Sequence, residues 1–413
     1  MQTMYRIAGI DVHKKMLAVV VADVVAEGEW EFERRWFGTL EDGLEALRAW
    51  IGALGVREAV MESTALYWMP VWRSLEGACL LHLAHAQSNR APQGRKRDFA
   101  DAERLVRRHA AGELLLSFVP GPEQRLWRAA TRGRYQLTCE RVRLQNQLEA
   151  LLEDARLKLS SCVSDLLGLS SRRMLEALAA GTAEPEALAA LAAPGLRASR
   201  EQLCQALRHA PVLAPLHRQL LALLLERLRL IEQQREALDQ SIAQLLQAHG
   251  EAVARLTEIP GIAVNAAQQI VAEVGPQAAS FASPARLASW AGLCPGRHES
   301  AGVSASNRCP RGNRTLRRVL TEAAHGAART RGCRYQALYR HWVVRLGPAR
   351  ALWAVAHRLC RLVWRVLHEG DRYQERGPEP DAKAARQRAA RLVRRLRALG
   401  YQVEISLPPP LPA

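Results

Sequence analysis

The sequence predicts an α/β domain at the amino end of the chain and an all-α remainder. Short β-rich segments alternate with helical ones through residues 1 to about 115. Heptad-spaced Leu and Ile residues follow in the middle, and later segments keep the apolar spacing of helices. A chain of 413 residues exceeds one typical core, so two or three domains are expected.

The first domain has a recognisable order of predicted elements. Three strands are followed by a helix, a strand, a helix, a strand and a last helix that begins near Asp98. The strands are predicted at residues 6–12, 16–23, 29–37, 57–62 and 79–83, and the first two helices at residues 40–54 and 66–75. This order is typical of the ribonuclease H-like fold.

Four carboxylates fall at related places in this order. Asp11 ends the first strand and Glu62 ends the fourth, while Asp98 and Asp101 share one face of the last helix at i and i+3. Each has an ordinary explanation as a turn residue, a helix cap or an acidic first turn. In α/β sheets, however, sites gather where strand ends meet helix N-termini. Converging acids need a cation, and two Mg2+ ions about 4 Å apart would also clamp a scissile phosphate.

Charge points to a polyanionic partner. The formal net charge is +17, and the planar fork of Arg matches phosphate oxygens, so nucleic acid is favoured over a merely solvated surface. Arg95, Lys96 and Arg97 lie beside the acids, where they could steer a phosphate backbone or form a solvated basic loop. His82 and His85 are interpreted as packing or strand-end residues without a metal role.

Composition also excludes several classes. Eight cysteines are scattered without Cys-x-x-Cys or paired Cys/His spacing, which argues against a zinc site or a disulfide framework and fits a reducing cytoplasm. The apolar run at residues 16–22 is a predicted strand, not a signal peptide. No run approaches the roughly 18 residues that span a bilayer, so a soluble, cytoplasmic protein without membrane contact is expected. Walker-type ATP chemistry is disfavoured because G-x-x-x-x-G-K-[ST] does not occur.

The middle region, residues 116–250, is predicted to contain two long helical arms. The first follows the Pro/Gly break at residues 120–122. The second has two heptad series, made of Leu221, Leu228 and Ile242 and of Leu224, Ile231, Leu238 and Leu245. The arms could pair with each other or with a partner chain. Residues 160–215 between them read as short helices, and most arginines flanking the first arm are expected on solvated faces.

Residues 251–373 form the predicted C-terminal domain. Its Pro-Gly-Ile turn at Gly261 joins two helices and could offer backbone N–H groups to phosphate, although an ordinary tight turn explains it nearly as well. Ser300 lies in a small, flexible setting ahead of many arginines, where a hydroxyl could approach a phosphodiester. A solvated loop serine is the alternative. The nucleic-acid-binding candidates that follow it are Arg308, Arg311, Asn313, Arg314, Arg317 and Arg318.

Three motifs taken together, G-I-D-V-H-K-K, M-E-S-T-A-L-Y-W and G-R-K-R-D-F-A-D-A, resemble those of the DEDD transposases of the insertion-sequence 110 family. The resemblance covers roughly residues 5–373. It implies a RuvC-like first domain whose metal-binding, catalytic acids are Asp11, Glu62, Asp98 and Asp101, then a coiled coil and a C-terminal transposase domain.

The resemblance also implies a serine nucleophile that joins DNA covalently. The common pattern has two adjacent serines before a glycine, whereas this chain has Ser300-Ala301-Gly302, with Ser304 and Ser306 close by. A non-coding bridge RNA and a dimeric or tetrameric assembly, with the acids of one subunit meeting the serine of another, are further implications. The tail, residues 374–413, stands outside the resemblance and comprises a basic helix at residues 383–397 and a Pro-rich end.

Three functions remain open from the sequence. The leading hypothesis is a transposase or site-specific recombinase that works through Mg2+ and a phosphoserine–DNA intermediate. The second is a RuvC-like nuclease or junction resolvase in which metal-activated water attacks. The third is a non-catalytic nucleic-acid-binding protein that keeps only the fold, and it would require the four acids to lie too far apart to share a metal.

Overall fold

The computed structural model describes residues 5–24, 30–63, 65–89, 97–296, 298–300, 303–306, 308–375, 377 and 382–404. The chain divides into two compact units, Met1–Gly121 and Pro122–Ala413. Among the described residues, no helix is both long enough and apolar enough to cross a membrane.

Within its described residues, the first unit contains a six-stranded mixed sheet in the order β3-β2-β1-β4-β5-β6. The strands are β1 (Arg6–Val12), β2 (Met16–Asp23), β3 (Glu33–Gly38), β4 (Glu58–Glu62), β5 (Leu80–Ala84) and β6 (Leu116–Ser117). The first three are antiparallel neighbours, β4 and β5 run parallel to β1, and β6 is antiparallel to β5. The predicted ribonuclease H-like order is confirmed, with the third strand starting at Glu33 and β6 added.

Helices cover both faces of this sheet. They are α1 (Glu41–Ala53), α2 (Trp68–Leu75) and α3 (Asp98–Ala110), with a 3-10 turn at Ala86–Asn89. Strand residues alternate between faces. Ala8, Ile10 and Val12 therefore pack with α1 and α2, whereas Ile7 and Val60 pack with α3.

A glycine sets how closely α3 approaches β1. A Cβ built on Gly9 would lie only 2.3 Å from the carbonyl oxygen of Ala102 and 2.7 Å from Val106. Any other residue at this position would push the helix away. The two backbones are therefore in direct contact next to Asp11.

The second unit is built around two long antiparallel arms that pack on each other, α4 (Pro122–Asp154) and α9 (Pro215–Leu245). This is one of the two pairings that the heptads left open. The short helices between them are α5 (Leu159–Cys162), α6 (Leu169–Ala180), α7 (Pro185–Ala189) and α8 (Arg200–Leu207), with a 3-10 turn at Ala210–Val212. They share one apolar core with both arms.

The remaining described helices follow in chain order after a 3-10 turn at Gln247–His249. They are α10 (Gly250–Thr257), α11 (Val264–Val274), α12 (Pro284–Trp290), α13 (Arg314–Arg329), α14 (Arg334–Leu346), α15 (Pro348–His368) and α16 (Ala382–Ala398). The segment predicted as a loop around Ser300 is instead a short antiparallel hairpin of β7 (His298–Ser300) and β8 (Val303–Ser306). The predicted basic tail helix is α16, and the Pro-rich end at residues 405–413 lies outside the described residues.

Candidate active site

Strand register places Asp11 and Glu62 side by side. Ile10 pairs with Met61 in the parallel ladder of β1 and β4, and the two acids are the next residue of each strand. Parallel strands lie about 4.8 Å apart, and alternation turns both acids toward the face that α3 covers. Asp98 and Asp101 occupy the first turn of α3, at the same face. The four predicted acids thus come from three elements that pack directly on one another.

His13 links two of these acids. Its Nε2 lies 3.1 Å from Asp11 Oδ2 and 3.3 Å from Asp98 Oδ1. The ligand atoms of the three residues all lie within 4.8 Å of one another. Only 12% of the Asp11 side chain is exposed, against 37% for Asp98, so the cluster opens toward solvent on the helix side. His13 lies in the G-I-D-V-H-K-K motif, but the sequence pattern assigns no role to it.

The other two acids have different partners. Glu62 accepts a hydrogen bond of 2.8 Å from the Nδ2 of Asn89, a residue only 4% exposed. Asp101, itself buried, pairs with Arg104 one turn along α3. Asn89 and Arg104 were also missed, because neither belongs to a motif that suggests a carboxylate partner.

The donor set fits a divalent cation. Carboxylate oxygens are the ligands that Mg2+ prefers, and here two of them converge on one point from separate elements. In this structure the imidazole of His13 stands between them. A bound cation would have to displace this ring or take it as a ligand.

The structure describes one of the three basic residues that precede α3. Arg95 and Lys96 lie outside the described residues. Arg97 is exposed and forms the N-cap of α3 in an extended conformation, directly before Asp98.

Ser300 is the last residue of β7 and pairs with Val303 of β8. The alternatives Ser304 and Ser306 both lie on β8. The side chains of these three serines are outside the described part of the chain.

The basic segment before α13 contains both exposed and half-buried arginines. Arg308, Arg311 and Arg314 are exposed. Arg317 donates to the carbonyls of Ala291 and Pro310, each at 3.2 Å. Arg317 is half-buried, and these two bonds contribute to the packing of the segment.

Arg318 is the second half-buried arginine, and it contacts three residues of the protein. It bonds Glu322 and Gln269, and its guanidinium stacks on the ring of Tyr135, with 3.4 Å between Cζ and the ring centroid. A single side chain thus joins α13 to both α11 and α4.

A fully buried carboxylate, Glu273 of α11, anchors the start of α13. Its Oε2 accepts a bond of 2.8 Å from Asn313, whose own side-chain oxygen caps α13 by accepting from the Leu316 N–H. Arg132 of α4 binds both oxygens, at 2.7 and 2.9 Å. Arg128 lies 3.4 Å from Oε2, and burial lowers its pKa to about 10. No sequence pattern predicts this network, and most of the arginines that flank the first arm are expected on solvated faces.

Gly261 has a packing role. It has a positive φ of 86°, and a Cβ there would lie 2.2 Å from the carbonyl oxygen of Ala323 in α13. The Pro-Gly-Ile turn between α10 and α11 therefore rests on the backbone of α13.

Family comparisons agree with this architecture. A DEDD transposase model of the IS110 type, described as "Transposase", matches residues 8–156, and a model described as "Transposase IS116/IS110/IS902 family" matches residues 253–340. The first match spans the acid-bearing sheet with α3, and the second spans the Pro-Gly-Ile turn, the hairpin with Ser300 and the basic segment.

Individual relatives cover less of the chain. An "Insertion element IS110 uncharacterized 43.6 kDa protein" from Streptomyces coelicolor is 32% identical over 155 residues, which is 36% of this chain and 36% of that protein. A "Putative transposase y4pF/y4sB" from Sinorhizobium fredii is 28% identical over 180 residues, which is 42% of this chain and 46% of that one. The chain thus spans less than half the length of either relative.

Among solved structures, one titled "Thermus thermophilus RuvC structure" covers 27% of this chain and 99% of its own, at 13% identity and a TM-score of 0.22. The two family models together match more than half of the 413 residues, and by them this chain belongs to the IS110 family of DEDD transposases.

Proposed function

We propose that this protein is a DNA transposase that cuts and rejoins strands at the ends of an insertion sequence. The observation that carries the proposal is the approach of Asp11 of β1 to Asp98 in the first turn of α3, on the sheet face where Glu62 follows the paired residue of the neighbouring strand β4. A nucleic acid is the substrate that suits both these acids and a net charge of +17. Family membership supports the same activity.

Asp11, Glu62, Asp98 and Asp101 would hold Mg2+, a cation that prefers oxygen ligands. When bound, such ions supply positive charge to the scissile phosphate and to the oxygens that attack and leave. The acids contribute by fixing the position of that charge. Asn89 and Arg104 hold Glu62 and Asp101 in place through the contacts described above.

Ser300 would act as the nucleophile. Its Oγ would form a bond to phosphorus while the bond to one bridging oxygen breaks, and that oxygen leaves with a proton as a free hydroxyl. One phosphate ester replaces another, so the bond energy is kept and a second strand can reverse the step without an external energy source. The position of Ser300 at the end of the strand β7 would give a backbone phosphate room to approach.

The partners follow from charge and family. Arg97 and the exposed Arg308, Arg311 and Arg314 would bind phosphates, with Arg95 and Lys96 as further candidates. A bridge RNA that pairs with donor and target DNA, and a homo-oligomer that brings acids and serine together, rest on the family alone. Work on chromosomal DNA would place the protein in the cytoplasm, in keeping with eight unpaired cysteines.

A denaturing-gel assay for a covalent protein–DNA adduct tests the proposal. Purified protein, Mg2+, element-end DNA and RNA transcribed from the element's flanks would be combined with and without chelator. We expect an adduct that is lost in Ser300→Ala and in Asp11→Asn and kept in Ser304→Ala, the matched control on β8. Free cleaved DNA without an adduct, equally abundant in Ser300→Ala, would support a metal-activated water instead and refute the serine mechanism.

A second arm of this assay tests the RNA. Omitting the transcript, or replacing it with one of scrambled sequence, is expected to abolish the adduct. An adduct of equal yield without RNA would refute guidance while leaving the transposase proposal intact.

A further inference from the structure

A second polar cluster lies on the same sheet face as the acids, at the opposite end of α3. Glu58 opens β4, His82 lies in β5 and His109 is in the last turn of α3. Glu58 Oε2 is 2.9 Å from His82 Nε2 and 2.7 Å from His109 Nε2. The ligand atoms of all three residues lie within 4.8 Å of one another. Nothing in the proposed transposase chemistry uses them.

The cluster is enclosed but reachable from solvent. Its three side chains are 12–18% exposed, and the two imidazole rings lie 4.4 Å apart between centroids. His82 Nε2 is buried and lies 2.9 Å from Glu58 Oε2. One carboxylate oxygen thus faces a ring nitrogen of each histidine, an arrangement that a shared cation also suits.

The other oxygen of Glu58 is held from outside the cluster. The hydroxyl of Tyr5 donates to Oε1. The carboxylate is thereby oriented with Oε2 toward the two imidazoles, as outer hydrogen bonds orient the ligands of metal sites.

We propose that Glu58, His82 and His109 form a zinc site, separate from the four acids. Two imidazole nitrogens and one carboxylate oxygen are a donor set that Zn2+ takes, with water in the fourth position, whereas Mg2+ favours oxygen ligands. Zinc–ligand bonds of about 2.0–2.2 Å set tetrahedral ligand atoms roughly 3.3 Å apart. The side chains therefore need to separate by about half an ångström from their present positions.

Such an ion would join β4, β5 and α3. At 1.5 Å per residue, His109 lies about 16 Å along the helix from Asp98, too far to share the chemistry there. The zinc ion would instead tie these three elements together, with its fourth position left to water. It would fix the carboxyl end of the helix whose amino end carries two of the four acids.

Zinc binding to the full-length, tag-free protein tests this inference. The protein would be stripped with chelator, dialysed against excess Mg2+ to occupy oxygen sites, and titrated with Zn2+ against a chromophoric competitor. We expect one zinc ion per chain. The zinc affinity should fall by more than roughly 100-fold in His82→Gln and in His109→Gln, a larger loss than changing a residue that only hydrogen-bonds to a ligand would cause. Saturating zinc should raise the unfolding temperature of the first unit by about 10 °C in the unaltered protein and not in these variants.

Controls separate this site from the others. Asp11→Asn should lose the Mg2+-dependent adduct and keep zinc, so the two proposals fail independently. His217→Gln, which alters a histidine of the second compact unit, should bind zinc normally. Zinc bound equally by the His82 and His109 variants, no binding tighter than about 10 μM, or a Co2+-substituted spectrum with thiolate charge transfer would overturn the proposal.

Discussion

Removing the buried carboxylate of Glu273 should destabilise the second unit strongly. In Glu273→Ala three short hydrogen bonds disappear, two from Arg132 and one from Asn313. Arg132 is 46% exposed and can turn to water, but Arg128 is 12% exposed and loses its counter-charge while keeping its bonds to backbone carbonyls. Breaking a buried pair costs about 3–5 kcal/mol. We take the lower end, about 3 kcal/mol, because one of the two arginines can be resolvated.

For a unit of this size, about 3 kcal/mol lowers the unfolding temperature by roughly 5 °C. Thermal and urea unfolding, followed by circular dichroism, would measure it. Glu140→Ala is the matched control, since Glu140 is exposed on α4 and its loss should change stability by less than about 0.5 kcal/mol. Equal stability of the Glu273 and Glu140 variants would refute the reasoning, because it would mean that the arginines find other partners at no cost.

Three further predictions concern single side chains. His13→Ala should destabilise the first unit by about 1 kcal/mol in chelator and increase the stabilisation that added Mg2+ gives, measured by thermal shift; a smaller Mg2+ response than in the unaltered protein would contradict this. Hydrogen bonds from Arg172 outweigh desolvation and lower the pKa of Glu232. The stability that this ion pair contributes is therefore present above about pH 4.5, and it is lost as the pH falls through the lower pKa of the folded state. Urea midpoints should drop less with acid in Glu232→Gln, and identical pH profiles would exclude the pair as the cause. Arg314→Ala should weaken DNA binding about equally for all sequences and reduce the salt slope by about 1, whereas an unchanged slope would mean no phosphate contact.

The sheet and the places of the acids could be predicted because both depend on local patterns. Alternation and helical spacing define β1, β4 and α3, and a strand order then brings Asp11, Glu62 and Asp98 to one face. The heptads of α9 predicted an apolar seam but could not say which helix packs against it. The strands flanking Ser300 are three and four residues long, too short for alternation to show.

The contacts of the sites were not predictable in the same way. Glu58, His82 and His109 are separated by more than 20 residues each, so no spacing rule links them, and His82 was interpreted as a packing residue. Glu273 looks like any helical glutamate in the sequence. Its burial follows from how α4, α11 and α13 cross, which is decided by tertiary packing and leaves no local signature.

Gly9 makes the acid cluster sensitive to a change that involves no charge. Because main chain touches main chain between β1 and α3, any side chain at this position would widen the gap between Asp11 on the strand and Asp98 on the helix. A single methyl group at Gly9 would move two acids at once, so this position offers an all-or-none handle for switching the site off without altering any charge.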